Sequence, residues 1–242
     1  MPEITSIVAV ARKPVQVEGS DAASSKLKSV IVQDYDQYPD DVKRSLPAPA
    51  PASGELVSTP RDPAPSNPGF FNSTSSTSDY PYKACMSRTW TVAVTPSKSK
   101  AMEFAEVKRI CHDFTMAGMQ AIYEAGPAKP FRFLYMSGTA TNRDPNQKPG
   151  WFMPEYTQMR GQGEVMVLDF AKAHPGIEAC VAKPGLITSG TWKDTLLSSG
   201  LKVTGLTGSV KKGQVAAAML RQVVRGFEKE PLENDDLVRL GS

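Results

Sequence analysis

Short runs of β-branched and apolar residues alternate along this chain with stretches of helical periodicity, and that alternation narrows the fold more than any other feature. Ile4 to Val10 (ITSIVAV) and Lys28 to Gln33 (KSVIVQ) have the length and composition of buried strands. Trp90 to Val94 (WTVAV), Phe131 to Met136 (FRFLYM) and Ile177 to Ala182 (IEACVA) repeat the pattern. Asp40 to Leu46 reads as a short helix with acid in its first turn. Val107, Ile110, Cys111, Phe114, Ala117, Ala121, Ile122 and Ala125 recur at three- and four-residue spacings, and Gly126-Pro127 ends that helix. The pattern predicts further helices over 156–173, closed by His174-Pro175-Gly176, and from about Gly213 to Phe227. Strands that alternate with helices build βαβ units, whose crossovers make neighbouring strands parallel. The expected fold is therefore α/β, with a doubly wound, mostly parallel sheet and a ligand crevice at the carboxyl ends of its strands.

One stretch breaks the alternation. Prolines crowd Pro47 to Pro81, beside the run Ser73-Thr74-Ser75-Ser76-Thr77-Ser78. Proline denies this stretch helix and central strand, and its few apolar residues deny it a core. Residues 1–46 and 88–242 are thus read as a single domain, and 47–87 as a disordered insertion.

Composition excludes several classes. With 40% hydrophobic and 22% charged residues and a net charge of +3, the chain suits one globular domain. Lysine and arginine are scattered rather than clustered, which argues against a nucleic-acid partner. No apolar run reaches membrane-spanning length, and the amino terminus lacks the pattern of a signal peptide. Cys85, Cys111 and Cys180 form neither a zinc spacing nor a disulfide framework, so the expected setting is reducing and cytoplasmic. Of the three, Cys85 is the one expected to be exposed. His112 and His174 have no ligand spacing, and no metal is expected. His112 falls off the apolar stripe of its helix and reads as a surface or internally satisfied side chain.

Candidate chemistry gathers in the second half. Phe133 to Thr139 (FLYMSGT) delivers Ser137 at the end of a strand. Tyr156 and Arg160 stand one helical turn apart on one face. Lys183-Pro184-Gly185-Leu186 follows the next strand, and Ala217 to Gly241 closes the chain. In this order these segments resemble the short-chain dehydrogenases and reductases, within their atypical Tat-interacting-protein and NmrA-like group. The resemblance covers about 4–46 and 88–241. It implies a Rossmann-like NAD(P)-binding fold, with hydride exchanged between nicotinamide and a small carbonyl or alcohol substrate.

The resemblance also implies residue roles. Ser137 would bind and polarise the substrate carbonyl, and Tyr156 would move the proton. Arg160 stands where the family has lysine, which tunes the tyrosine and holds the nicotinamide ribose. A guanidinium fork is not a compact ammonium, so this is a departure. Arg12 and Lys13 follow the first strand, where basic residues favour a 2′-phosphate; the expected cofactor is NADP, with NAD as the alternative. Asp34 would lie near the adenine. Val92, Ala93 and Val94, with Tyr156, Arg160, Pro184, Gly185 and Leu186, would complete the cofactor contacts. Trp151 and Phe152 would line the substrate pocket or anchor a loop. A homo-oligomer is compatible with all of this.

The family's opening strand, Gly-rich loop and helix have no counterpart here; Gly161-Gln162-Gly163 falls inside a predicted helix. The expectation is a truncated form, with the absent strand belonging between 4–10 and 90–94 and with 47–87 fitting a retained intron. Three readings follow: an oxidoreductase, a non-catalytic NAD(P)-sensing or regulatory relative, and a chain impaired in dinucleotide binding.

Overall fold

The computed structural model describes residues 7–14, 26–33, 35–45, 87–127, 129–147, 152–189 and 208–242. Residues 46–86, which hold Cys85 and all of the expected 47–87 insertion but Ser87, lie outside the described residues, as do Asp34 and Trp151.

Three parallel sheet pieces are present among them. Strand β1 (Ile7–Ala11) pairs with β2 (Leu27–Ile31), Ile7 opposite Leu27. Strand β3 (Ser87–Trp90), β4 (Phe131–Met136), β5 (Ile177–Lys183) and β8 (Leu232–Glu233) form the main sheet in that order. Strand β6 (Leu186–Thr188) pairs with β7 (Ser209–Lys211). The helices are α1 (Asp40–Ser45), α2 (Pro96–Ser99), α3 (Phe104–Lys108), α4 (Phe114–Glu124), α5 (Pro154–Ala173), α6 (Lys212–Arg225) and α7 (Asn234–Gly241). The expected α/β architecture is the one observed.

β4 shows why its sequence is almost wholly apolar. Alternate residues of a strand face opposite sides, and both sides of β4 are covered. Phe131, Phe133 and Tyr135 enter a core with Trp90, Phe114, Val167, Phe170 and Val181. Leu134 turns the other way, toward Cys180, Ala182, Met219, Val223 and Leu237. A sheet buried on both faces is the usual condition of parallel strands. Val30 and Val32 reach the first of these cores, with Val8 and Val10 packed against it. The Tyr35 ring meets Trp90 edge-on, with centroids 6.4 Å apart, and lies 5.7 Å from Phe114. Ion pairs Lys43–Glu124 and Arg109–Asp36 add to the junction. Among the described residues, no ladder joins β1 to β3.

Two expectations need correction. The third strand spans Ser87–Trp90, not Trp90–Val94. Trp90 lies opposite Tyr135, and β4 ends one residue later, so residues beyond Thr91 have no strand to pair with. The predicted single helix of 107–125 is interrupted by a π turn, Arg109–Asp113, between α3 and α4. A π turn holds an extra residue, which shifts the faces on either side of it. Both Cys111 and His112 are consequently buried. His112 is satisfied rather than exposed, its Nε2 2.6 Å from the Met159 carbonyl oxygen.

Candidate active site

Ser137 is the first residue past β4, where its N–H donates to the Ala182 carbonyl at 2.8 Å. Its Oγ donates to Glu164 Oε1 at 2.6 Å. Glu164 sits on α5 and is wholly buried. The same carboxylate takes the Thr141 hydroxyl and, on its other oxygen, Arg143 Nε at 2.7 Å. Lys183 Nζ stands 3.8 Å away and donates to the Thr141 carbonyl. Arg143 then forks onto Glu230 with bonds of 2.9 and 2.6 Å. Bonding to Glu230, ahead of that to Glu164, holds the guanidinium pKa above its ordinary value against the cost of burial. Two carboxylates thus face two cations, the arrangement a buried charge requires.

Sequence reasoning passed over Glu164 and Arg143 and treated Lys183 only as part of a turn. A signal was present. Tyr156, Arg160 and Glu164 repeat at four-residue spacing, so Glu164 shares a helical stripe with two residues already singled out. A carboxylate in a buried stripe demands cationic or hydroxyl partners.

Tyr156 lies in the first turn of α5, and its hydroxyl donates to the Val94 carbonyl at 2.7 Å. Its ring packs against Val94, Val107, Cys111 and Met159. Burial raises the phenol's pKa above 10.0; the Arg160 charge opposes this and is outweighed. Arg160 is itself 4% exposed. Its two Nη atoms donate at 2.6 Å to the Tyr135 hydroxyl and to the Met136 carbonyl, and its guanidinium lies 5.0 Å from the Tyr135 ring centroid. Burial pushes the Tyr135 pKa up to about 12 despite that cation. Both arms of Arg160 therefore point at β4. β3 and β4 are neighbours running in one direction, so Val94, past the end of β3, and Ser137, past the end of β4, lie toward the same end of the sheet. Tyr156, bonded to Val94, and Ser137, bonded to Glu164, are thus both held toward that end, on different partners. A groove of about 330 Å3 opens beside Tyr156, walled by Met102, Phe104, Met153 and Pro154.

The remaining expected residues divide. Arg12 and Lys13 are exposed just past β1, and the Arg12 charge reaches Tyr35. Val92 is half-buried, Ala93 exposed and Val94 buried. Pro184 is buried. The Gly185 N–H donates to Asn234 Oδ1 at 3.0 Å and the Leu186 N–H to the Gly208 carbonyl at 3.1 Å, so both amides serve the fold. Gly161 and Gly163 lie inside α5, where Gly161 packs directly against the Asn142 backbone. Cys111 and Cys180 are buried. Among the described residues no cluster of three or more His, Cys, Asp or Glu could hold a metal, and no helix is long and apolar enough to cross a membrane.

No family model matches the chain, and no curated protein does. Solved structures do. An NADPH-bound short chain oxidoreductase from Pseudomonas aeruginosa PAO1, described as containing an atypical catalytic center, superposes with a TM-score of 0.51 at 11% identity, over 96% of this chain and 89% of that one. The likeness is one of fold, a mostly parallel α/β, Rossmann-like arrangement. MoeE5 in complex with UDP-glucose and NAD gives a TM-score of 0.50 at 15% identity, over 94% of this chain and 67% of its own. RMD from Pseudomonas aeruginosa complexed with NADPH gives 0.44 at 17% identity, and this chain spans 59% of its length.

Proposed function

We propose that this chain is an NADP(H)-binding oxidoreductase of the short-chain type, in the atypical NmrA-like group, acting on a small carbonyl or alcohol, with NAD as the alternative dinucleotide. The reading rests on the shared end of β3 and β4. There a phenol and a serine hydroxyl stand at the carboxyl edge of a parallel sheet, the place where such folds take their ligands. The residues fit a dinucleotide at its adenosine end, where exposed Arg12 and Lys13 suit a 2′-phosphate. They do not reproduce the family's ribose clamp, because Arg160 is committed to Tyr135 and Met136. Bound NADP(H) supplies or accepts the hydride. Tyr156, whose pKa burial keeps above its ordinary value, moves the proton, giving it to a carbonyl or taking it from an alcohol, when it releases the Val94 carbonyl. Ser137 holds the substrate oxygen.

The test combines calorimetric titration with NADPH and initial rates over a carbonyl panel. Binding, with turnover that falls at least about a hundredfold in Tyr156→Phe, supports the reading. One observation favours a second reading, a dinucleotide sensor without turnover: Arg160 is buried, with both Nη atoms bonded inward to Tyr135 and Met136. NADPH binding with no rate difference between wild type and Tyr156→Phe selects the sensor, and absence of NADPH binding overturns both.

A further inference from the structure

We propose that Glu164 is a positioning residue that fixes the polarity of Ser137: the serine presents an acceptor to the crevice, and the group it receives is an alcohol hydroxyl rather than a carbonyl. This rests on the oxidoreductase reading and reverses the donor role that the family resemblance implies for Ser137.

A serine hydroxyl has one proton and two lone-pair sites. An ionised carboxylate only accepts. Glu164 is wholly buried and faces Arg143 Nε at 2.7 Å and Lys183 Nζ at 3.8 Å, the surroundings of an ionised group. The separation of 2.6 Å between Ser137 Oγ and Glu164 Oε1 is that of a charge-assisted O–H···O⁻ bond. The Thr141 hydroxyl shares its one proton between the same oxygen and the Gly138 carbonyl, so the buried carboxylate rests chiefly on Ser137, Arg143 and Lys183. The serine's only proton is therefore turned inward, and its lone pairs remain for a ligand. A carbonyl oxygen would meet them lone pair against lone pair. An alcohol brings the missing proton. For Ser137 to serve a carbonyl instead, it would have to withdraw a donor from a buried carboxylate, the costly side of hydrogen-bond exchange.

Glu164→Gln reverses the arrangement with little change of shape. Arg143 donates to the Oε2 position and requires an acceptor there, which places the amide oxygen on Arg143 and the amide NH2 toward Ser137 and Thr141. Ser137 then accepts from the amide, and its own proton is freed for the crevice.

The first measurement needs no ligand. In proton NMR of the full chain, a slowly exchanging, downfield hydroxyl resonance is expected that disappears in Ser137→Ala and survives in Thr141→Val. Its absence from wild type, or its survival in Ser137→Ala, overturns the proposal. The second uses NADP(H) with 1-phenylethanol and acetophenone as a matched pair. Glu164→Gln should raise the KM for the alcohol and lower that for the ketone, moving their ratio by roughly tenfold, the size of one hydrogen bond. A purely structural role for Glu164 would move both alike, and an unmoved ratio overturns the proposal. If wild type turns over neither compound while NADPH binds, the catalytic reading has failed, and the NMR result alone decides the polarity of Ser137.

Discussion

Gly161 offers the sharpest test of how α5 is seated. In a free helix, alanine in place of glycine gains about 1 kcal/mol. Here a Cβ at position 161 would lie 1.7 Å from the Asn142 carbonyl oxygen and 2.5 Å from its carbon. Both are backbone atoms, so no rotamer change relieves the contact. Restoring ordinary contact requires α5 and the 138–143 turn to separate by on the order of 2 Å. Overpacking of that severity costs roughly 3 kcal/mol, and the same turn carries the Thr141 and Arg143 bonds to Glu164. Setting the helical gain against this leaves Gly161→Ala destabilised by about 2 kcal/mol, or a melting temperature lower by roughly 4–8 °C for a chain of this size. The control is Gly213→Ala in the first turn of α6, where an added Cβ meets nothing within 4 Å and stability should hold or rise. Thermal and urea melts followed by circular dichroism measure both. A Gly161→Ala variant at least as stable as wild type would refute the close approach of α5 to Asn142.

Two further outcomes follow from the buried charges. Arg143→Ala leaves Glu164 with Lys183 at 3.8 Å as its one cation among the described residues, and should cost about 3–5 kcal/mol; adding Glu164→Gln should recover part of that loss in denaturant midpoint, whereas simple additivity would mean that the two groups are not coupled. Burial, with help from Lys108 and Arg160, holds the His112 pKa below 6.5 against the opposing pull of Asp113 and of the Met159 carbonyl. The folded state therefore resists a proton that the unfolded chain accepts, and the histidine's contribution is complete above pH 6.5 and lost as pH falls through the lower folded value. The decline of stability from about pH 7 to about pH 5 should be shallower in His112→Gln, and an unchanged decline would argue that the ring is open to water.

Much of the fold could be read from residue order because its signals are local. β4 and β5 are uninterrupted apolar runs, α5 and α6 have clear ends, and Ser137 follows directly from where β4 stops. The misses came where a partner decides. β3 ends where β4 runs out of residues to pair, which WTVAV cannot reveal on its own. The π turn at Arg109–Asp113 keeps an apolar spacing that imitates an unbroken helix while burying His112. β8 and α7 depend on contacts with β5 and α6 rather than on their own acidic sequence, ENDDLVRLG. Of the candidate site, Tyr156, Arg160 and Ser137 are singled out by order and spacing alone. That Arg160 turns to β4 and that Glu164 bonds Ser137 depend on which way a helix faces, and only its packing partners determine that.

The separation of β1–β2 from β3–β4 has a mechanical consequence. Ladders are cooperative along their length, but across this seam, among the described residues, cohesion comes from Val30, Val32, Tyr35, Trp90 and Phe114 and from two ion pairs open to solvent. Among the described residues the halves are clasped by side chains rather than stitched by amides. Hydrogen exchange in the native state should consequently resolve two opening units, with the amides of β1 and β2 surrendering their protons well before those at the centre of β4.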